Sequence, residues 1–146
     1  MKKPVTWFLI ADGARARIVV RPEGSEHYTV LLEEDALAAH ARARELTSDR
    51  PGRNQESAYT AHHALAPRND PHRLEEIKFI RSVAAHVNRE SARGSFDRLV
   101  IYAAPRCLAQ LRISLDAAAA RKLHGEHAKD LTRVPLAELP RHFAAD

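Results

Sequence analysis

The sequence predicts an α/β fold: a single mixed β-sheet, opened by an antiparallel meander and covered by packed helices, in the order β-β-β-α-β-α-β-α. Three observations predict it. Residues 5–32 carry three short apolar or alternating segments separated by turn residues. A well-capped helix starts at Asp70. Strand-like and helical stretches alternate from there to the end. A length of 146 residues suits one domain with a real core, and neither an internal repeat nor a second domain is evident.

The first segment, Val5 to Ala11, is apolar on both faces, as a central strand is. Asp12-Gly13 follows as a hairpin signal, because both residue types tolerate positive φ. The next strand alternates. Ala14, Ala16, Ile18 and Val20 share one face, and Arg15, Arg17 and Arg21 share the other. Pro22-Glu23-Gly24-Ser25 turns the chain into a third strand over Tyr28 to Leu32. Glu33 to Leu46 is rich in Ala, Glu and Arg. Its helix propensity is high and its apolar stripe thin, which predicts a turn or two of helix.

Between about residues 44 and 70 the periodicity disappears, and Pro51, Gly52, Asn54, Pro67 and Asn69 interrupt any regular element. A connection of this length inside one domain points to function or to disorder. Asp70 and Pro71 then supply an N-cap and a first helical residue. Leu74, Ile77, Ile80, Ala84 and Val87 form a stripe at helical spacing, and Gly94 sits where a C-terminal cap belongs. Phe96 to Ala103 reads as a buried strand. Pro105 opens a second helix with Leu108, Leu111, Leu115 and Ala118 on one face, broken by Gly125. A short strand is expected over Glu126 to Lys129, and a last helix near Pro135, weakened by Pro140.

Composition narrows the function class. The basic start Met1-Lys2-Lys3-Pro4 is followed by too short an apolar run for a signal peptide or membrane span, so a cytoplasmic, membrane-free protein is expected. Cys107 is the only cysteine and cannot form an intramolecular disulfide, which suits a reducing compartment. The net charge is +4 and rests on 18 Arg against 5 Lys. Arginine suits bidentate contacts to phosphate or carboxylate, but 26 Ala point equally to compositional bias. An excess of four charges permits nucleic-acid contact without requiring it.

No catalytic or metal motif stands out. His62-His63 are neighbours whose side chains would not converge on one ion, and His124 and His127 would fall on opposite faces of a strand. No metal site and no cofactor are therefore expected. Asp12, Asp97 and Asp130 lie near strand ends, as carboxylates do in a ribonuclease H-like sheet that binds two Mg²⁺. Asp12 is accounted for by its turn, and Glu75 and Glu76 flank the apolar stripe of the helix rather than face the sheet. Cys107 lies in a first helical turn with no histidine placed to serve it. Ser57, Ser48 and Thr47 lack a nucleophile-elbow context. Arg15, Arg17 and Arg21 form a basic strand face, either solvated or a phosphate contact joined by Arg50 and Arg53. In the long loop Arg44, Arg50, Arg53 and Arg68 are balanced by Glu45, Asp49, Glu56 and Asp70, so specific contacts rather than bulk charge would hold it on a polyanion.

Five motifs in order carry a resemblance. They are Ala11-Asp12-Gly13-Ala14-Arg15-Ala16-Arg17, Asp49-Arg50-Pro51-Gly52-Arg53, Ala104-Pro105, Leu111-Arg112 and Lys129-Asp130-Leu131-Thr132. Together they resemble the bacterial host-attachment protein family, from about Val5 to Phe143. That family's fold is similar to the middle domain of archaeal and eukaryal class I peptide chain release factors, which has the same element order. There a Gly-Gly-Gln tip sits in the loop before a long helix, where this chain puts residues 44–70. The resemblance implies a binding loop at Asp49, Arg50, Pro51, Gly52, Arg53, Asn54 and Gln55, with tRNA or the ribosome as partner. One glycine followed by bulky residues restricts the backbone that peptidyl-tRNA ester hydrolysis needs. A non-catalytic binding protein is therefore expected ahead of a hydrolase. The other expectation is a protein-interaction or homo-oligomeric factor that supports attachment indirectly, using the exposed edge of the meander.

Overall fold

The structure, a computed structural model, describes residues 3–37 and 70–143. Five strands form one mixed sheet in the order β3-β2-β1-β4-β5. They are β1 Thr6–Ala11, β2 Arg15–Val20, β3 Thr29–Asp35, β4 Arg98–Ala103 and β5 Leu123–His127. β1–β2–β3 pair antiparallel, whereas β1, β4 and β5 run parallel. The helices are α1 Pro71–Ala92, α2 Pro105–Ser114, α3 Ala117–Ala120 and α4 Leu139–His142, the last preceded by a 3₁₀ turn at Leu136–Glu138. The α/β class and the single mixed sheet thus stand. The expected binding loop, Asp49 to Gln55, lies outside the described residues, as do His62 and His63.

One face of the sheet is the main core. Trp7, Leu9, Ala16, Ile18, Leu99 and Ile101 pack there against Phe79, Ile80, Val83 and Val87 of α1 and Leu108 and Leu111 of α2. Helix α1 starts as its sequence indicates, with Asp70 accepting from the His72 N–H at 3.0 Å. It ends at Gly94, whose φ of 75° is the left-handed conformation glycine adopts most readily. The second face carries a smaller core. Ile10, Val19, Val100 and Tyr102 are covered by the C-terminal segment through Leu131 and Leu139.

Four expectations are corrected. The Asp12-Gly13 turn does not use positive φ, which among the described residues occurs only at Gly24 and Gly94. Asp12 Oδ1 instead accepts from the Ala14 and Arg15 N–H groups, each at 2.7 Å. Strand β3 runs on to Asp35, because Glu33 and Asp35 sit opposite Arg17 and Arg15 and cross-strand charge pairing outweighs helix propensity. Helical backbone begins only at Ala36. The helix from Pro105 breaks at Leu115, whose ψ of 137° is extended. Asp116 then caps α3 by accepting from the Ala119 N–H at 2.8 Å, while its own N–H is held by Asn88 of α1. Finally, Gly125 is not a helix breaker but lies inside β5, which starts three residues earlier than Glu126.

Candidate functional site

The carboxyl ends of β1, β4 and β5 open at one end of the sheet, the place where parallel α/β sheets bind ligands. Three segments meet there. The Asp12-Gly13 turn follows β1, the N-terminus of α2 follows β4, and residues 128–132 follow β5. Thr132 ties the first to the last. Its Oγ1 lies 3.0 Å from Asp12 Oδ2 and 2.6 Å from Asp130 Oδ1. One hydroxyl proton serves one of these carboxylates at a time. Asp130 also accepts from the Thr132 N–H at 2.9 Å, which shapes the turn.

Beside this network is a cavity of about 150 Å³ between α1 and α2, lined by Gly13, Arg73, Glu76, Arg106, Cys107 and Gln110 among others. Glu76 faces the sheet end after all. A Cβ built on Gly13 would lie 2.8 Å from Glu76 Cγ and Cδ, so the missing side chain of Gly13 is what admits Glu76. The α2 N-terminus has no side-chain cap, because Ala104 stands at that position. Its first turn turns the buried Cys107 thiol inward, 3.7 Å from the Asp12 carbonyl. Burial pushes that thiol up to about 12, and the Asp12, Asp130 and Glu76 carboxylates add to the shift. A thiol held neutral this way is a packed group, not a nucleophile. Among the described residues no three His, Cys, Asp or Glu side chains converge to hold a metal ion.

The arginines of β2 do not form one solvated face. Arg17 points under the C-terminal segment and donates to the Leu131 carbonyl at 2.8 Å and to the Val134 carbonyl. Burial lowers its pKa, and Glu33 opposite partly restores it. Arg15 is exposed at the carboxyl end of the parallel strands, opposite Asp35. Arg21 follows β2 at the other end of the sheet, roughly 20 Å away at ~3.3 Å per residue. The stripe is therefore split in three: Arg15 by the candidate site, Arg17 a structural tie, Arg21 remote.

The long segment is rooted at this same end. The Ala36 N–H donates to the Ala14 carbonyl at 2.6 Å, so the chain leaves β3 beside the Asp12-Gly13 turn. It returns at Asp70, six residues before Glu76, or about 9 Å further out along the α1 axis at ~1.5 Å per residue.

Residues 7–143 match the family described as "Protein required for attachment to host cells". The chain belongs to that family. The match covers nearly the whole sequence, including every segment that builds the carboxyl-end site. No curated protein matches it. Within this host-attachment domain Glu76, Arg73, Arg106 and Gln110 are site residues that sequence reading passed over. Their signal lay in the Ala104-Pro105 junction, which ends a parallel strand and starts a helix, and in the two helical turns that separate Glu76 from its N-cap. Among the described residues no helix of the host-attachment domain is long and apolar enough to cross a membrane.

Proposed function

We propose that the protein is a non-catalytic binding protein that contacts tRNA or the ribosome through residues 49–55, and that its place in host attachment is indirect. One observation carries this reading. Both stems of the 38–69 segment rise from the carboxyl end of the parallel strands, beside Arg15, Arg73 and Arg106. Arg50, Arg53 and Gln55 belong to that segment, and arginine forks suit phosphate oxygens. The likeness to the release-factor middle domain, which carries its tip before a long helix, supports the same placement. So does the run of three strands followed by α1. The single glycine at Gly52 and the neutral Cys107 thiol favour recognition over ester hydrolysis.

Sedimentation through a low-salt sucrose gradient tests the proposal. The wild-type protein is expected to migrate with ribosomal particles or tRNA, and the Arg50→Ala/Arg53→Ala variant to stay at the top. Migration of both at the top, with no RNA recovered after crosslinking, rejects it.

A second reading rests on the β3 edge. Leu31, at 48% exposure, stands on the outer strand β3, which among the described residues pairs only with β2 and leaves its other edge unpaired. Such an edge accepts a partner strand. A protein-interaction or homo-oligomeric factor is read out by molar mass in solution, with Leu31→Lys expected to shift the mass to that of the monomer.

A further inference from the structure

The opposite end of the sheet, at the amino ends of β1 and β4, carries a second constellation. Three rings meet on the face that the C-terminal segment covers. Phe8 and Phe143 stack with centroids 4.3 Å apart and an interplanar angle of 11°. Tyr28 stands edge-on to both, at 5.6 and 5.4 Å. None of the three is fully buried. They border an open cavity of about 260 Å³ whose lining also includes Arg21, Arg98 and His124 and contains no carboxylate.

Strand register explains why two guanidiniums arrive together. Arg98 is the parallel partner of Thr6 on β4. Arg21 lies two residues beyond Val19, the antiparallel partner of Phe8, and so reaches the level of Thr6 from the other side. The two arginines thus flank β1 about 10 Å apart, at ~4.8 Å per strand spacing. The aromatic rings occupy the next row of the same face. Among the described residues neither Arg21 nor Arg98 is held in an ion pair. Glu23 and Glu26 line an adjoining groove that shares Arg21 with this one.

We infer that this groove is a binding site for single-stranded RNA, taking one base against the Phe8–Tyr28–Phe143 cluster and the flanking phosphates on Arg21 and Arg98. An aromatic face beside a pair of guanidiniums matches the two parts of a nucleotide. Rings accept any base by stacking, worth about 1–3 kcal/mol per base in known single-strand binders. Planar guanidiniums grip phosphate oxygens in pairs. A ring cluster that only closed the small core would have no use for a cationic rim free of acids. The site lies at the far end of the sheet from Ala36 and Asp70, which flank the long segment, and it stands or falls separately from the proposed role of residues 49–55.

The test is fluorescence anisotropy of a labelled decauridylate at low salt, with an abasic oligomer of equal length as the charge-only control. The wild-type protein is expected to bind the decauridylate at least about five-fold more tightly than the abasic strand, the lower bound of one stacked base. Arg21→Glu/Arg98→Glu is expected to abolish binding. The milder Arg21→Gln/Arg98→Gln is expected to flatten the salt dependence by about 1.4 in log–log slope, two phosphates at ~0.7 each. Tyr28→Ala is expected to weaken the decauridylate but not the abasic strand, and Arg81→Glu, an exposed change on α1, to alter neither. Thermal melting verifies that each variant is folded. Equal affinity for the two oligomers, no binding by the wild type, or full binding by Arg21→Glu/Arg98→Glu overturns the inference. Ribosome sedimentation reads the loop and the decauridylate reads this groove, so either can fail alone.

Discussion

Thr132 Oγ1 lies 3.0 Å from Asp12 Oδ2, a contact across 120 positions that closes the carboxyl end of the sheet. Asp12 is engaged on both oxygens, since Oδ1 accepts from two backbone N–H groups of its own turn. Replacing Asp12 by Ala removes all three contacts. It is expected to cost about 1–1.5 kcal/mol, because water can replace the two solvent-exposed turn contacts and only the Thr132 contact is partly buried. Thr132→Val removes this contact together with the hydroxyl's contact to Asp130, which share one proton, and is expected to cost about 1 kcal/mol. Urea unfolding of both single variants and the double variant measures their coupling. The double variant is expected to lose less than the sum of the singles, because the shared bond is counted once. Strict additivity would show that the contact contributes nothing.

Gly13 and Glu76 give a second prediction of coupling. The Cβ of Gly13→Ala meets Glu76 at 2.8 Å, but the obstacle is the flexible end of a side chain, not backbone. The expected cost is therefore modest, about 1 kcal/mol, at the low end of overpacking. In a Glu76→Ala background the clash is absent, and Gly13→Ala is expected to be neutral there. Thermal melting of the four proteins in the cycle checks this. An equal cost in both backgrounds would place the strain in the turn's backbone rather than in the side-chain contact.

The sequence conveyed the fold where local signals agree with the tertiary outcome. Asp70-Pro71 and Gly94 mark the true ends of α1, and Ile80, Ala84 and Val87 of its apolar stripe are buried, joined by Phe79 and Val83, which the stripe left out. Reading failed where a distant partner decides. Glu33 and Asp35 look helical until the arginines of β2 stand opposite them. Leu115 looks like a third helical leucine until Asn88 captures the Asp116 N–H and Asp116 starts a new helix. The segments that build the candidate site, Asp12-Gly13, Ala104-Pro105 and Asp130-to-Thr132, were legible as family motifs but not as one site. Glu76 was not legible, because only the absence of a Cβ at Gly13 lets it approach. Arg17 misled by alternation, which shows the face a residue takes but not what covers that face.

Arg17 holds the C-terminal segment to the sheet. Its guanidinium donates to two carbonyls, at Leu131 and Val134, and the side chain is half-buried. Arg17→Met keeps most of the apolar volume and removes the donors. Hydrogen bonds from charged donors are worth about 1.5–3 kcal/mol each, so the loss is expected to approach 3 kcal/mol. The effect should be local. Amide exchange at Leu139 and in residues 131–134 is expected to accelerate more than at Val83 or Val87 in α1. Uniform acceleration across both regions would mean that the segment and the main core unfold as one unit.

Cys107 provides the pH prediction. Its thiol stays neutral in the folded protein up to about 12, because burial comes first and three nearby carboxylates reinforce it. In the unfolded chain the same thiol ionises near its ordinary value of 9.0. The folded pKa is the higher one, so this group's contribution is fully present below pH 9 and is lost as pH rises towards 12. Above pH 9 the unfolded state sheds a proton that the folded state keeps, and stability falls with pH. Cys107→Ala removes the titrating group. Its stability between pH 9 and 11 is expected to decline less steeply than that of the wild type, although its value at pH 7 is lower by the cost of a small cavity. The same burial predicts slow alkylation of the native thiol at pH 8 and fast alkylation in urea. The two proteins differ only at this side chain, so the difference in slope between them isolates the thiol. Parallel slopes, or native alkylation at the rate of the unfolded chain, would show that Cys107 is open to solvent and that the carboxyl-end site contains a reactive thiol after all.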